Sequence, residues 1–139
     1  LSIDFGQETW HKVITRARAK PEWFTYEGPA ESGVRDVAVE LRNFPGEFVT
    51  LEQVRGRLAA EGYRLVVLQA ADAYRRSCPE WSRRNNLLFF AGSVCKEPRG
   101  NSFIACLVWH GGEVGWDLYL AWTGYVFNDR AWFATEKVP

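Results

Sequence analysis

The chain has 139 residues, 47% apolar and 24% charged, a balance that supports a packed core and excludes a disordered polypeptide. Seventeen basic residues meet 17 acidic ones, so no net field recruits nucleic acid or a membrane surface. The unusual feature is aromatic content, seven Trp, nine Phe and five Tyr, which serves either a dense core or an adhesive surface.

The N-terminal stretch LSIDFGQETWHKV lacks the apolar region of a signal peptide, and no apolar run reaches the ~18 residues that span a bilayer. Localisation is left open, and membrane insertion is not expected. Residues 8–20 read as a short helix with Trp10, Val13, Ile14 and Ala17 on one face and a stop at Pro21. Residues 27–33 are loop. Residues 34–44 alternate as a strand with Val37, Val39 and Leu41 on one face, ended by Pro45-Gly46. Thr50 and Gln53 have the form of a capping box, opening a helix with Leu51, Val54 and Leu58 at helical spacing and Gly62 as its stop. A short apolar run leads to a further helix, about 68–77, ending before Pro79.

The pattern then changes. Residues 86–95, 102–109, 115–122 and 130–135 are β-like, separated by turns holding Pro98, Gly100, Gly111-Gly112 and Gly124. Length predicts one domain over 1–139, with an N-terminal helix and loop over 1–30 and a β-rich half over 86–139. Strand, two helices, then a block of strands is an α+β arrangement: an antiparallel sheet with segregated helices, its first strand paired with the late ones. That layout, N- and C-terminal strands brought together with two helices between, is the one a C-type lectin-like domain has.

Cys78, Cys95 and Cys106 are odd in number and lack a Cys-x-x-Cys pair, which argues against a disulfide scaffold or a zinc site. They read as free buried thiols. A hairpin tip at KEPRGNSFIA would, however, set Cys95 opposite Cys106 and allow a cross-strand bridge.

From about Trp23 to Lys137 the stretches VAVELRNF, Gly62-Tyr63-Arg64, GSV at 92–94, Cys106-Leu107, GGE, DLYL and DRAWFATEK follow one another in a characteristic order and spacing. In this the chain resembles the C-type lectin-fold variable proteins of diversity-generating retroelements, in the form found in bacterial candidate phyla, archaea and their viruses. It departs from that pattern at Cys95, where an aromatic is usual, at Leu120 and Tyr125, where Trp is usual, and at residues 131–134. The resemblance implies a protein that catalyses nothing. Error-prone reverse transcription at adenines rewrites selected codons near the 3′ end of the gene, and the fold displays the products as a binding site.

The parity of 116–122 puts Trp116, Leu118, Leu120 and Trp122 on one face, the core face, with Trp122 where the strand ends, and Asp117, Tyr119 and Ala121 on the other. Gly124 and Asn128-Asp129 end the strand pattern. Carrying the family pattern over makes Tyr125 scaffold, and Trp122, Thr123, Val126, Phe127 and Asn128 display, together with Tyr119 and Ala121. Val108, Trp109 and His110 match a second variable segment. Affinity is then expected from burying Trp109, Trp122 and Phe127, each contributing about 1.5–3 kcal/mol when fully desolvated. The implied partner is a macromolecule, a protein or a cell-surface glycan, bound by a monomer without cofactor or metal.

Other readings stand beside this one. A non-variable structural or interaction domain of the same fold would use the aromatics as packing. A calcium-dependent sugar lectin would need more oxygens than EPR at 97–99 and FND at 127–129 supply, since calcium takes roughly six to eight. A formylglycine-generating type of oxidase would need Cys95 and Cys106 as a paired copper site. There is no Ser-His-Asp set, His pair at ligand spacing or phosphate loop to support other chemistry. The Arg-rich runs read as solvated faces.

Overall fold

The computed structural model describes residues 1–78, 87–112 and 114–139. The expected stop at Pro79, Arg83 and Arg84 of the basic run, Asn86 at the expected strand start and Glu113 of Gly-Gly-Glu lie outside the described residues.

Helices form where caps and apolar spacing coincide. The Thr9 hydroxyl accepts the Lys12 N–H to start α1 (Trp10–Arg16), which buries Val13 and Ile14. At α2 (Leu51–Ala60) the capping box is complete: Thr50 Oγ1 accepts the Gln53 N–H at 3.2 Å and Gln53 Oε1 accepts the Thr50 N–H at 2.9 Å. Leu51, Val54 and Leu58 are its buried stripe. Gly62 turns the chain at φ 80°, a conformation that costs a residue with a Cβ. A 3₁₀ turn at Leu68–Ala70 leads into α3 (Ala71–Ser77).

The expected strand over 34–44 is two strands. β3 (Val34–Asp36) pairs with β1 (Ser2–Asp4) in a small separate sheet, and β4 (Glu40–Asn43) joins the main one. Between them Val37 closes the small sheet by exchanging hydrogen bonds with Leu1. The chain therefore changes sheet inside one apolar run, which alternation alone does not reveal.

Among the described residues, the main sheet has seven strands. Its central order is β4, β9 (Ala131–Lys137), β6 (Leu87–Lys96), β7 (Ser102–Trp109) and β8 (Trp116–Trp122). β2 (Thr25–Glu27) adds to β6 and β5 (Tyr63–Leu65) to β9. The first strand of the main run thus meets the last, as β4 pairs with β9. The protein is α+β with a mostly antiparallel sheet, the exception being β6 and β9, which run parallel. The helices are not segregated as expected but cover both faces: Val13, Ile14, Ala71 and Ala73 of α1 and α3 pack on one, and α2 packs on the other.

Two apolar clusters result, one on each face of the same strands. Leu88, Phe90, Ala105, Leu107, Trp109 and Leu118 belong to the first; Phe89, Ala91, Ile104, Cys106 and Phe133 belong to the second. Strands buried on both sides are continuous apolar runs, which accounts for much of the aromatic content.

A bulge in β6 interrupts this alternation. Phe90 faces Ala105, but Cys95 already faces Phe103, so residues 91–94 leave the ladder. There Gly92 N–H donates to Val66 O at 2.9 Å, and a Cβ on Gly92 would lie 2.2 Å from Leu65 O. Ser93 Oγ accepts the Leu68 N–H at 2.9 Å and its hydroxyl lies 3.0 Å from Gln69 Oε1. Gly-Ser-Val is therefore where the segment before α3 docks onto the sheet. The bulge also removes the expected juxtaposition of thiols. Cys106 faces Phe89, Cys95 faces Phe103, and the two cysteines sit in different clusters. Cys95 and Cys106 are free thiols.

Candidate functional site

The parallel pairing of β6 with β9 dictates what lies between β8 and β9. Trp122 is level with Phe103, whereas Ala131 is level with Leu87 and so with Val108. Residues 123–130 must therefore travel the height of the sheet, roughly 17 Å, and recross β7 and β6 to reach their place beside β6. They do so over the second face. Midway, Phe127 and Val49 exchange backbone hydrogen bonds at 2.7 and 2.9 Å, tying this crossover to the approach to α2.

The space between crossover and sheet is an apolar groove of about 330 Å³. Its floor is Leu87 and Phe89 of β6, Cys106 of β7, Tyr119 and Ala121 of β8, and Ala131 of β9; its wall is Tyr125, Val126, Phe127 and Asn128. Five residues expected to be display, Tyr119, Ala121, Val126, Phe127 and Asn128, thus come together. Val108 adjoins them on the same face, paired with Leu87 and Asp117.

Three assignments are corrected. Phe127, expected to be displayed, is 4% exposed, because the bridge to Val49 turns its ring inward against Phe89 (centroids 4.8 Å apart) and Phe133 (5.3 Å). Trp109, also expected to be displayed, is 5% exposed. It lies on the opposite face of β7 from Cys106, in the first cluster and edge-on to Trp116 at 5.2 Å. Tyr125, expected to be scaffold, is 54% exposed. Neither Trp109 nor Phe127 offers free area to a partner, so the affinity assigned to them is withdrawn.

Of the remaining expected display residues, Trp122 is exposed and packs edge-on to Tyr125 at 5.6 Å, lying over Gly124. The Thr123 N–H donates to Ser102 O and prolongs the β7–β8 ladder. The His110 N–H donates to Gly115 O, in the turn between β7 and β8 and away from the groove lining.

One floor residue is held by charge. The Tyr119 hydroxyl donates to Asp117 Oδ2 at 2.7 Å, and Arg18 donates to Asp117 Oδ1 at 2.9 Å. The guanidinium of Arg18 also lies 5.6 Å from the Tyr119 ring centroid. Burial works to raise the Asp117 pKa, but these bonds, the Arg18 charge and the Leu118 N–H outweigh it and hold the carboxyl below the usual range. The bond to Asp117, with burial second, raises the Tyr119 phenol above its ordinary value. Arg18 reaches this position from a residue at φ 66°, in the left-handed region, just past the end of α1.

Among the described residues the groove lining holds no reactive nucleophile. Burial pushes the Cys106 thiol up to about 12, and the Cys95 thiol likewise, so both are protonated at neutral pH. Their opposite placement does not form the paired-cysteine site that a copper oxidase would need. Among the described residues no group of three or more His, Cys, Asp or Glu is placed to hold a metal. Glu97 is engaged in its own turn, accepting from Asn101 Nδ2 at 2.6 Å.

Sequence reasoning missed Leu87, Phe89, Cys106, Tyr125 and Ala131 as groove residues, and Arg18 as a support. For β6 no signal existed, since a strand buried on both faces has no polar side to mark one end as open. No known protein family, no curated protein and no solved structure matches this chain.

Proposed function

We propose that this chain is a C-type lectin-like variable protein of a diversity-generating retroelement. It binds a macromolecular ligand with the groove and the aromatic rim above it, and no chemistry follows binding. One observation carries the reading. Tyr119, Ala121, Val126, Phe127 and Asn128, all expected to belong to the display, are five of the ten groove-lining residues. Trp122, Tyr125 and Val126 are 44%, 54% and 59% exposed beside it, an apolar patch of the kind that marks an interaction site. The pairing of β4 with β9 is in keeping with the lectin-like layout. Among the described residues no helix is long and apolar enough to cross a membrane.

The test is deep sequencing of the 3′ end of the gene with its flanking DNA across the source population. Substitutions should concentrate at the codons of Tyr119, Ala121, Trp122, Thr123, Tyr125, Val126 and Asn128. A nearby near-repeat should differ from that segment only at adenines. Uniform codons and no such repeat would sink the variable-protein reading. They would leave the second reading, a fixed interaction domain, which the burial of Trp109 and Phe127 favours.

A further inference from the structure

We infer that the groove takes a single neutral ring carried by a protein partner, a Tyr, Phe or Trp side chain, and neither a sugar nor a charged group. This rests on the display reading above and names the chemistry of the occupant. Among the described residues the lining has no charged side chain, so an ion entering it would lose its water and gain no partner. Three polar groups beside the groove are engaged within the protein. Tyr119 donates to Asp117, Asn128 Oδ1 accepts the Arg130 N–H at 2.9 Å, and Cys106 Sγ lies 3.9 Å from Leu107 O. A sugar brings several hydroxyls, more than the few polar groups of this apolar lining can pair, and hydroxyls buried without partners oppose binding.

Size narrows the choice. About 330 Å³ is near the lower end of small-molecule sites and leaves room for one ring system. The rim then decides between a free molecule and a side chain. Trp122, Tyr125 and Val126 expose apolar surface that a ligand sized to the groove would leave in water. Phe48, 78% exposed and directly before the Val49–Phe127 bridge, adds more. Only a body larger than the groove covers both. Tyr119, held by Asp117 and covered by Arg18, is a part of the floor fixed before the ring arrives, which lowers the ordering cost of binding.

The experiment titrates ¹⁵N-labelled protein with p-cresol, 3-methylindole and toluene, and separately with methyl glucoside, acetate and butylamine. The ring compounds should shift the Ala121 and Asn128 amides with millimolar affinity, and the other three should not. Ala121→Trp, which fills the groove, and Val126→Arg, on the exposed side of the wall, should each weaken ring binding at least about tenfold, equivalent to 1.4 kcal/mol. Both should keep the wild-type amide dispersion; if Ala121→Trp unfolds, Val126→Arg alone decides.

Glucoside binding with silent rings, no binding at all, or ring binding indifferent to Val126→Arg overturns the inference. Micromolar affinity for free rings overturns the protein source, because the groove would then suffice alone. Self-association dissolved by p-cresol replaces the partner with a second copy of this chain. Variable groove codons without ring binding would remove the occupant and leave the display reading standing. Ring binding with uniform codons would do the reverse.

Discussion

Tyr125 and Phe127 stand two positions apart in one crossover, yet Tyr125 is 54% exposed and Phe127 4%, because only Phe127 has its backbone tied to Val49. Phe127→Ala removes a ring packed on Phe89 and Phe133 and should cost about 3–5 kcal/mol in urea unfolding, as core truncations of aromatics do. Tyr125→Ala, at a half-exposed rim position, should stay within about 0.5 kcal/mol. Equal losses would show that the rim is structural. Asp117 supplies a pH-dependent test. Its folded pKa is depressed, so its stabilisation is present above the unfolded carboxylate pKa and is lost as pH falls through the folded one. Asp117→Asn should therefore be less stable than wild type at neutral pH, and the difference should close in acid. The same substitution should lower the pH at which the Tyr119 phenol ionises, followed by ultraviolet titration, since Asp117 is the largest cause raising it. That residues 119–128 matter was legible in sequence. Which of their rings point inward was not, because the bridge that decides it comes from residue 49, far away in the chain.

At the scale of elements, strand β6 carries the device that sets register. Gly92 lets the Leu65–Val66 backbone pass within contact of β6, and Ser93 satisfies the Leu68 N–H. Gly92→Ala would put a Cβ 2.2 Å from a carbonyl oxygen and 2.7 Å from Val66 C, backbone atoms that cannot move aside as a side-chain tip can. It should cost about 4 kcal/mol or more, or prevent folding. Ser93→Ala should cost about 1–3 kcal/mol, the penalty of a buried N–H deprived of its acceptor. Denaturant midpoints of the two variants check both values, and a neutral Gly92→Ala would refute the close approach. The start of α2 was readable because Thr50 acts on the turn immediately after it, whereas the Thr9 cap that starts α1 at Trp10 was not read. The strand over 34–44 was read as one because apolar alternation continues unbroken where the backbone changes partner from β1 to β9.

For the whole molecule, the sheet is the boundary between two cores, and it separates Cys95 from Cys106. Both are buried with thiols pushed up to about 12, so they should be silent toward a thiol reagent at neutral pH in the native protein. They should react fully after unfolding; rapid native labelling of Cys106 would mean that the groove opens to its floor. The same two-sided sheet resolves the aromatic excess. Phe89, Phe90, Trp109, Phe127 and Phe133 close the cores, whereas Phe48, Tyr119, Trp122 and Tyr125 remain in solvent. By itself the sequence determined that there are helices near 10–16, 51–60 and 71–77, the capping box of α2, the late block of strands with their turns, and the α+β class, since each follows from interactions between residues close in the chain. Only the tertiary structure decided the parallel return of β9, the β6 bulge, the placement of the cysteines and the groove under the crossover. Each of these depends on which distant backbone a segment lands against, and local periodicity does not encode that.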